Sequence, residues 1–297
     1  MNITFLTTFS IIFLMLFGSV AATFSENFQQ FLTNFYGIIT ERQLSRKDLG
    51  SGGSWGGGDQ SFVPGNVTRR RPVVFVNGLS TIAQDYAGNR DYFLQHGYSN
   101  AELYATTYGS GAETMMTDSI TCEHVRAERN LIEAVSAYTN SQVDVIGYSM
   151  GSPTSRKAIL GGFCVDTGEF IGGPITHLVH TFLAVAGANF GAEILCKDSE
   201  PTPILDACNS LNGIVCNSTF LNDINSFHGY EGSVIYTMYS KVDEVTGYRT
   251  CNDQVLTSAI PGEALAVQYN ETDGMGHFGM LYVTVNKQFE LISKGQL

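Results

Sequence analysis

The chain has 297 residues, 43% hydrophobic and 15% charged, which suits one large folded domain, with two small ones as the alternative, and excludes a disordered tail. Acidic side chains outnumber basic ones 28 to 16, and the formal net charge of −12 excludes nucleic acid as a partner, because phosphates require a basic face. It equally excludes a polybasic hold on anionic membranes, and the 32 glycines show no G-X-Y period, which excludes collagen.

Residues 1–22 carry no charged side chain. Residues 11–17 are an unbroken apolar run, followed by the small residues Gly18, Ser19, Val20, Ala21 and Ala22. This reads as a signal peptide of a secreted, extracellular protein; the apolar stretch is shorter than the roughly 20 residues of a membrane anchor. No later segment is apolar enough for a stable membrane span. Six cysteines follow (Cys122, Cys164, Cys196, Cys208, Cys216 and Cys251), without a C-x-x-C pair or a histidine cluster at zinc spacing. Three disulfides are expected, and the spacing leaves their connectivity open. Sequons at Asn66, Asn217 and Asn270 fit a glycoprotein.

Residues 23–70 form an N-terminal segment before the main domain at 71–297. Its first half predicts one or two helices with Phe28, Phe31, Leu32, Phe35 and Ile38 on an apolar face. Residues 50–58 hold six glycines around Trp55, the only tryptophan, and read as a flexible connection or as a mobile flap with an aromatic tip. Residues 72–76 predict a buried strand ending at Asn77-Gly78, and 103–107 a second. A helix is expected over 118–138, a strand over 143–146, a helix over 153–160, and strands over 177–186 and 233–239. A final helix places Leu281, Val285, Phe289 and Ile292 on one face. Strands alternating with helices imply an α/β fold whose mainly parallel sheet is covered on both faces.

The chemistry concentrates in residues 143–151, Val-Asp-Val-Ile-Gly-Tyr-Ser-Met-Gly. A serine between an incoming strand and an outgoing helix sits on a tight turn, so Gly147 and Gly151 meet a steric demand, and the Ser149 hydroxyl is presented at the sheet's carboxyl edge. A serine needs a base, and the base an orienting acid, in the chain order Ser, Asp or Glu, His. His277, in a glycine-rich loop before the closing helix, is the candidate base; His177 and His180 flank a strand core and are read as structural or surface residues, and His228 lies before the last strands in a Cys-rich excursion. Asp243, after the strand over 233–239, fits best as the acid, with Glu244 and Asp253 as alternatives. An oxyanion hole would draw on the backbone N–H groups of Met150 and Leu79.

Four segments then carry a family resemblance. Residues 72–79 resemble the oxyanion strand of the class 2 triacylglycerol lipases, 143–151 their elbow, and 239–245 and 276–282 their acid and histidine loops. In size and cysteine content the chain resembles the secreted nematode members more closely than the near-minimal bacterial ones. It departs from the bacterial pattern at Asn77, where a histidine usually precedes the glycine. The resemblance implies an α/β-hydrolase fold and a carboxylic-ester hydrolase acting on acylglycerols. Ser149, Asp243 and His277 would be its triad, with no metal or organic cofactor and only transient contact with a lipid interface.

Residues from about 187 to 232 hold Cys196, Cys208 and Cys216 in an insertion of a length that is unusual without a function. It reads either as a cap over the site or as a disulfide-pinned excursion. Rival functions are a carboxylesterase or phospholipase with the same machinery, or a non-catalytic lipid-binding protein on the same scaffold.

Overall fold

The computed structural model describes residues 23–197 and 203–294; the expected signal peptide lies outside them. Nine strands are present among the described residues: β1 (Ser54–Trp55), β2 (Val73–Val76), β3 (Leu103–Thr106), β4 (Val143–Tyr148), β5 (Val179–Val185), β6 (Val234–Ser240), β7 (Arg249–Thr250), β8 (Val255–Leu256) and β9 (Leu265–Tyr269). Seven form one sheet in the order β1-β3-β2-β4-β5-β6-β9, parallel except for β1. β7 and β8 make a separate antiparallel hairpin. Every residue of β2, β3 and β4 is buried, as continuous apolar strands covered on both faces require.

The helices are α1 (Glu26–Tyr36), α2 (Ile38–Ser45), α3 (Ala87–Gln95), α4 (Cys122–Thr139), α5 (Gly151–Leu160), α6 (Thr219–Asn225), α7 (His277–Tyr282) and α8 (Val285–Ser293). Thr121 caps α4 by accepting the His124 N–H, and Asn140 ends it in the left-handed conformation that releases the chain into β4. One apolar layer packs α1, α4 and α5 on the sheet; the other packs α3, α7 and α8. β2 and β4 are neighbours, and the connection leaving β2 runs to β3 on one side while that leaving β4 runs to β5 on the other. Such a reversal opens a crevice at the strands' carboxyl ends.

Three features differ from the sequence expectation. The glycine-rich stretch is neither a free connection nor a flap. Ser54 and Trp55 pair with Thr106 and Ala105 as the sheet's edge strand, and Trp55 is 1% exposed, its indole N–H donating to the Ala83 carbonyl. Gly56 explains part of the composition: at φ 132°, a Cβ there would lie 2.6 Å from the Leu103 carbonyl oxygen. The closing helix is two helices, α7 and α8; the Thr284 hydroxyl bonds back to the Met280 carbonyl where the first one ends. β9 was not expected: its apolar run, residues 264–267, is short, and as an edge strand it leaves most of its residues exposed.

The cysteines pair as Cys122–Cys164, Cys196–Cys208 and Cys216–Cys251. The first ties the start of α4 to the loop after α5; the third ties the insertion to the β7–β8 hairpin. α6, within the insertion, is held to α5 by buried charge. Arg156 pairs with Glu231 at 2.9 Å and bonds the Ile224 carbonyl and the Asn225 side chain, while Lys157 pairs with Asp223 at 2.6 Å. Removing one partner of such a buried pair strands the other charge, so these contacts fix α6 strongly in place.

Candidate active site

Parallel pairing brings four distant segments to one edge. Val76 stands opposite Gly147, Tyr148 opposite Val185, and Ser240 opposite Tyr269, so the segments after β2, β4, β6 and β9 share the carboxyl edge. Ser149 leaves β4 at φ 53°, a left-handed conformation that a serine adopts only when its surroundings impose it. Those surroundings are tight. A Cβ on Gly147 would lie 2.8 Å from Ser152 Cα, and one on Gly151 would lie 2.2 Å from the Asn77 carbonyl oxygen. The turn is therefore wedged between the start of α5 and the end of β2, with the Ser149 N–H bonded to the Val185 carbonyl at 3.0 Å.

His277 begins α7. Its Nε2 lies 2.9 Å from Ser149 Oγ and its Nδ1 lies 2.7 Å from Asp243 Oδ2. All three residues are buried. The other Asp243 oxygen accepts the Val245 and Thr246 N–H groups at 3.0 and 2.7 Å, which orients the carboxylate. Burial raises this carboxyl's pKa; the hydrogen bond and charge of His277, together with those two N–H groups, outweigh it and hold Asp243 below its ordinary 3.8. An ionised acid on Nδ1 leaves Nε2 as the nitrogen that can accept the serine proton.

The alternative acids are elsewhere. Glu244 accepts the backbone N–H of His277, not a ring proton, at 2.7 Å. Asp253 is exposed in the turn between β7 and β8. Of the other late histidines, His177 and His228 are exposed, and His180 is half-buried beside Thr181 on β5.

On the β2 side, the Gly78 N–H donates to Thr81 Oγ1 at 2.9 Å. Among the described residues the N–H groups of Leu79 and Met150 have no protein acceptor, whereas that of Gly78 is already used. Asn77 is buried and braces this loop. Its Nδ2 donates to the Thr81 carbonyl at 2.7 Å, and its Oδ1 accepts the Tyr108 N–H at 3.2 Å. The departure from histidine thus keeps a side chain that supports the loop from below.

Two contributors escaped sequence reasoning. Thr81 has no motif to mark it. Tyr148 lies inside the elbow motif, and its ring packs 5.0 Å from that of His277 while its hydroxyl donates to the His277 carbonyl at 3.3 Å. Burial, reinforced by the Asp243 charge, pushes the Tyr148 hydroxyl well above its ordinary value, so it remains a donor. A cavity of about 490 Å³ opens elsewhere, its lining including Arg42, Arg46, Asp118 and His124 but none of the three hydrogen-bonded residues.

A mainly parallel sheet with helices on both faces and a serine on a strained strand-to-helix turn define an α/β-hydrolase. The model of the family Lipase (class 2) matches residues 70–290, and the chain belongs to that family, a hydrolase of the lipase and esterase type. Solved structures agree on the fold. Lipase B from Aspergillus fumigatus superposes with a TM-score of 0.53 at 15% identity, covering 84% of this chain and 57% of its own. The mature lipase BlEst2 from Bacillus licheniformis gives 0.54 at 12% identity, covering 81% of this chain and 98% of its own. The chain thus spans little more than half the length of the Aspergillus lipase. Sequence comparison with curated proteins finds no match.

Proposed function

We propose that the protein is a secreted serine lipase that cleaves triacylglycerol esters through an acyl-enzyme. The observation that carries the reading is the continuous chain from Ser149 Oγ through the His277 ring to Asp243, built on a strained elbow. His277 takes the Ser149 proton as the hydroxyl attacks the ester carbonyl, and Asp243 stabilises the imidazolium. The Met150 and Leu79 N–H groups receive the developing oxyanion, each such donor being worth about 3 kcal/mol in the transition state. His277 returns the proton to the leaving alcohol, and water activated by the same imidazole releases the fatty acid.

Secretion rests on the expected signal peptide at 1–22 and on three disulfides, which persist in oxidising compartments. Asn66, Asn217 and Asn270 are exposed, as glycan acceptors require. The insertion is read as a pinned excursion, not an opening cap, because α6 is bound to α5 by Arg156 and Lys157. Turnover should then rise smoothly through the substrate's solubility limit, and a jump at that limit would restore the cap.

Ser149→Ala should abolish hydrolysis while the thermal unfolding midpoint is kept, and a fluorophosphonate should label Ser149 in the wild type alone. Retained turnover in the variant would refute the assignment. A profile over acyl-chain length separates lipase from carboxylesterase: the proposal expects activity to persist on long, water-insoluble esters.

A further inference from the structure

Asp243 and Glu244 are adjacent acids, yet they hold opposite parts of one residue. Asp243 takes the His277 ring, and Glu244 Oε2 takes the His277 backbone N–H at 2.7 Å. On the far side of the residue, the Tyr148 hydroxyl donates to the His277 carbonyl. His277 is therefore gripped at its N–H, its C=O and its ring by three side chains, two from the loop after β6 and one from the end of β4. Neighbouring Gly276 is shaped to this grip. Its backbone, at φ −76° and ψ −174°, is extended and open to any residue, so the turn does not require glycine. What requires it is Glu244: a Cβ on Gly276 would lie 2.2 Å from Glu244 Oε2 and 2.9 Å from Cδ. The carboxylate rests where a side chain would otherwise be.

We propose that Glu244 is a positioning residue for the base, its carboxylate anchoring the His277 backbone and Gly276 clearing the space in which it sits. This rests on the triad reading above, and it adds a residue that touches no reacting atom. The anchor is a hydrogen bond to a charged acceptor, stronger than a neutral one, and it holds the backbone from which the imidazole must reach both Ser149 and Asp243. A displacement of about 1 Å at a reacting group can lower a rate by about a hundredfold, so a modest loosening is legible in kcat.

The test is a double-mutant cycle on the full-length protein with a soluble short-chain ester. Glu244→Ala should lower kcat about tenfold with KM unchanged, and should slow fluorophosphonate labelling by the same factor. Glu244→Gln, which keeps an acceptor oxygen, should recover kcat to within about threefold of wild type. Gly276→Ala should match Glu244→Ala, because the added methyl expels the flexible carboxylate. The double variant should be no slower than either single one. Additive losses, or a Glu244→Ala enzyme with wild-type kcat, would overturn the proposal. So would losses confined to the unfolding midpoint or to KM. Ser149→Ala, assayed alongside, separates the two claims: turnover surviving there sinks the triad itself, whereas a dead Ser149→Ala with an unaffected Glu244→Ala sinks only the anchor.

Discussion

Replacing Glu128 with Gln should make the protein more stable at neutral pH and change the shape of its stability curve. Glu128 lies on α4, fully buried, and among the described residues neither carboxylate oxygen has a hydrogen-bond partner. Desolvation alone pushes its carboxyl from the ordinary 4.5 to about 8. In the folded protein at pH 7 the group is therefore protonated, whereas in the unfolded chain it is ionised. The unfolded state binds fewer protons, so stability must fall as pH rises. The native state carries no penalty below pH 4.5, loses about 1.4 kcal/mol per pH unit between there and about pH 8, and then levels off. The full loss is on the order of 5 kcal/mol, a large share of the 5–15 kcal/mol typical of a folded domain. Glutamine has nearly the same shape and cannot ionise, so the variant lacks this dependence. Guanidinium unfolding of both proteins, disulfides intact, at intervals from pH 5 to 9 isolates the effect. Every other titrating group is common to the pair and cancels in the difference. The stability gap should widen in favour of the variant by about 3 kcal/mol between pH 5 and pH 7. Parallel curves, with a gap independent of pH, would refute the reasoning and mean that Glu128 finds a partner for its charge.

Trp55→Ala should lower stability by about 3–5 kcal/mol, read as a fall in unfolding midpoint with KM unchanged, because the ring is core and its loss orphans the Ala83 carbonyl. A raised KM at unaltered stability would instead mark a substrate-side flap. Asp243→Asn preserves shape but offers Nδ1 the wrong partner, and kcat should fall by about 10⁴ with folding intact; a loss under tenfold would shift the role to another acid.

Much of the site was legible because its information is local. The strand-turn-helix at 143–151 is written in a few consecutive residues, with the two glycines standing where a Cβ would strike backbone. The five strands foreseen in the main domain are all present, with ends shifted by no more than a few residues, since each is mostly apolar and has both faces covered. Where the pattern was weak, sequence reasoning failed for a physical reason. Exposed β9 has only a short apolar run, at residues 264–267, and Trp55 among six glycines has the composition of a linker. Gly53, Gly56 and Gly57 reflect close packing around a built edge strand, which composition cannot distinguish from flexibility.

The sequence by itself therefore determined the covered parallel sheet, the elbow serine and the candidate histidine, because periodicity and steric exclusion act over a few residues. Only the tertiary structure decided which of two adjacent acids faces the imidazole, since that depends on how the chain leaves β6 and on partners 34 and 128 residues apart in sequence. It also decided the three cysteine pairings and the placement of the insertion, which rests on the buried Arg156–Glu231 pair and on Lys157–Asp223 between α5 and α6. Such contacts are properties of approach in space, and no local pattern in the chain encodes them.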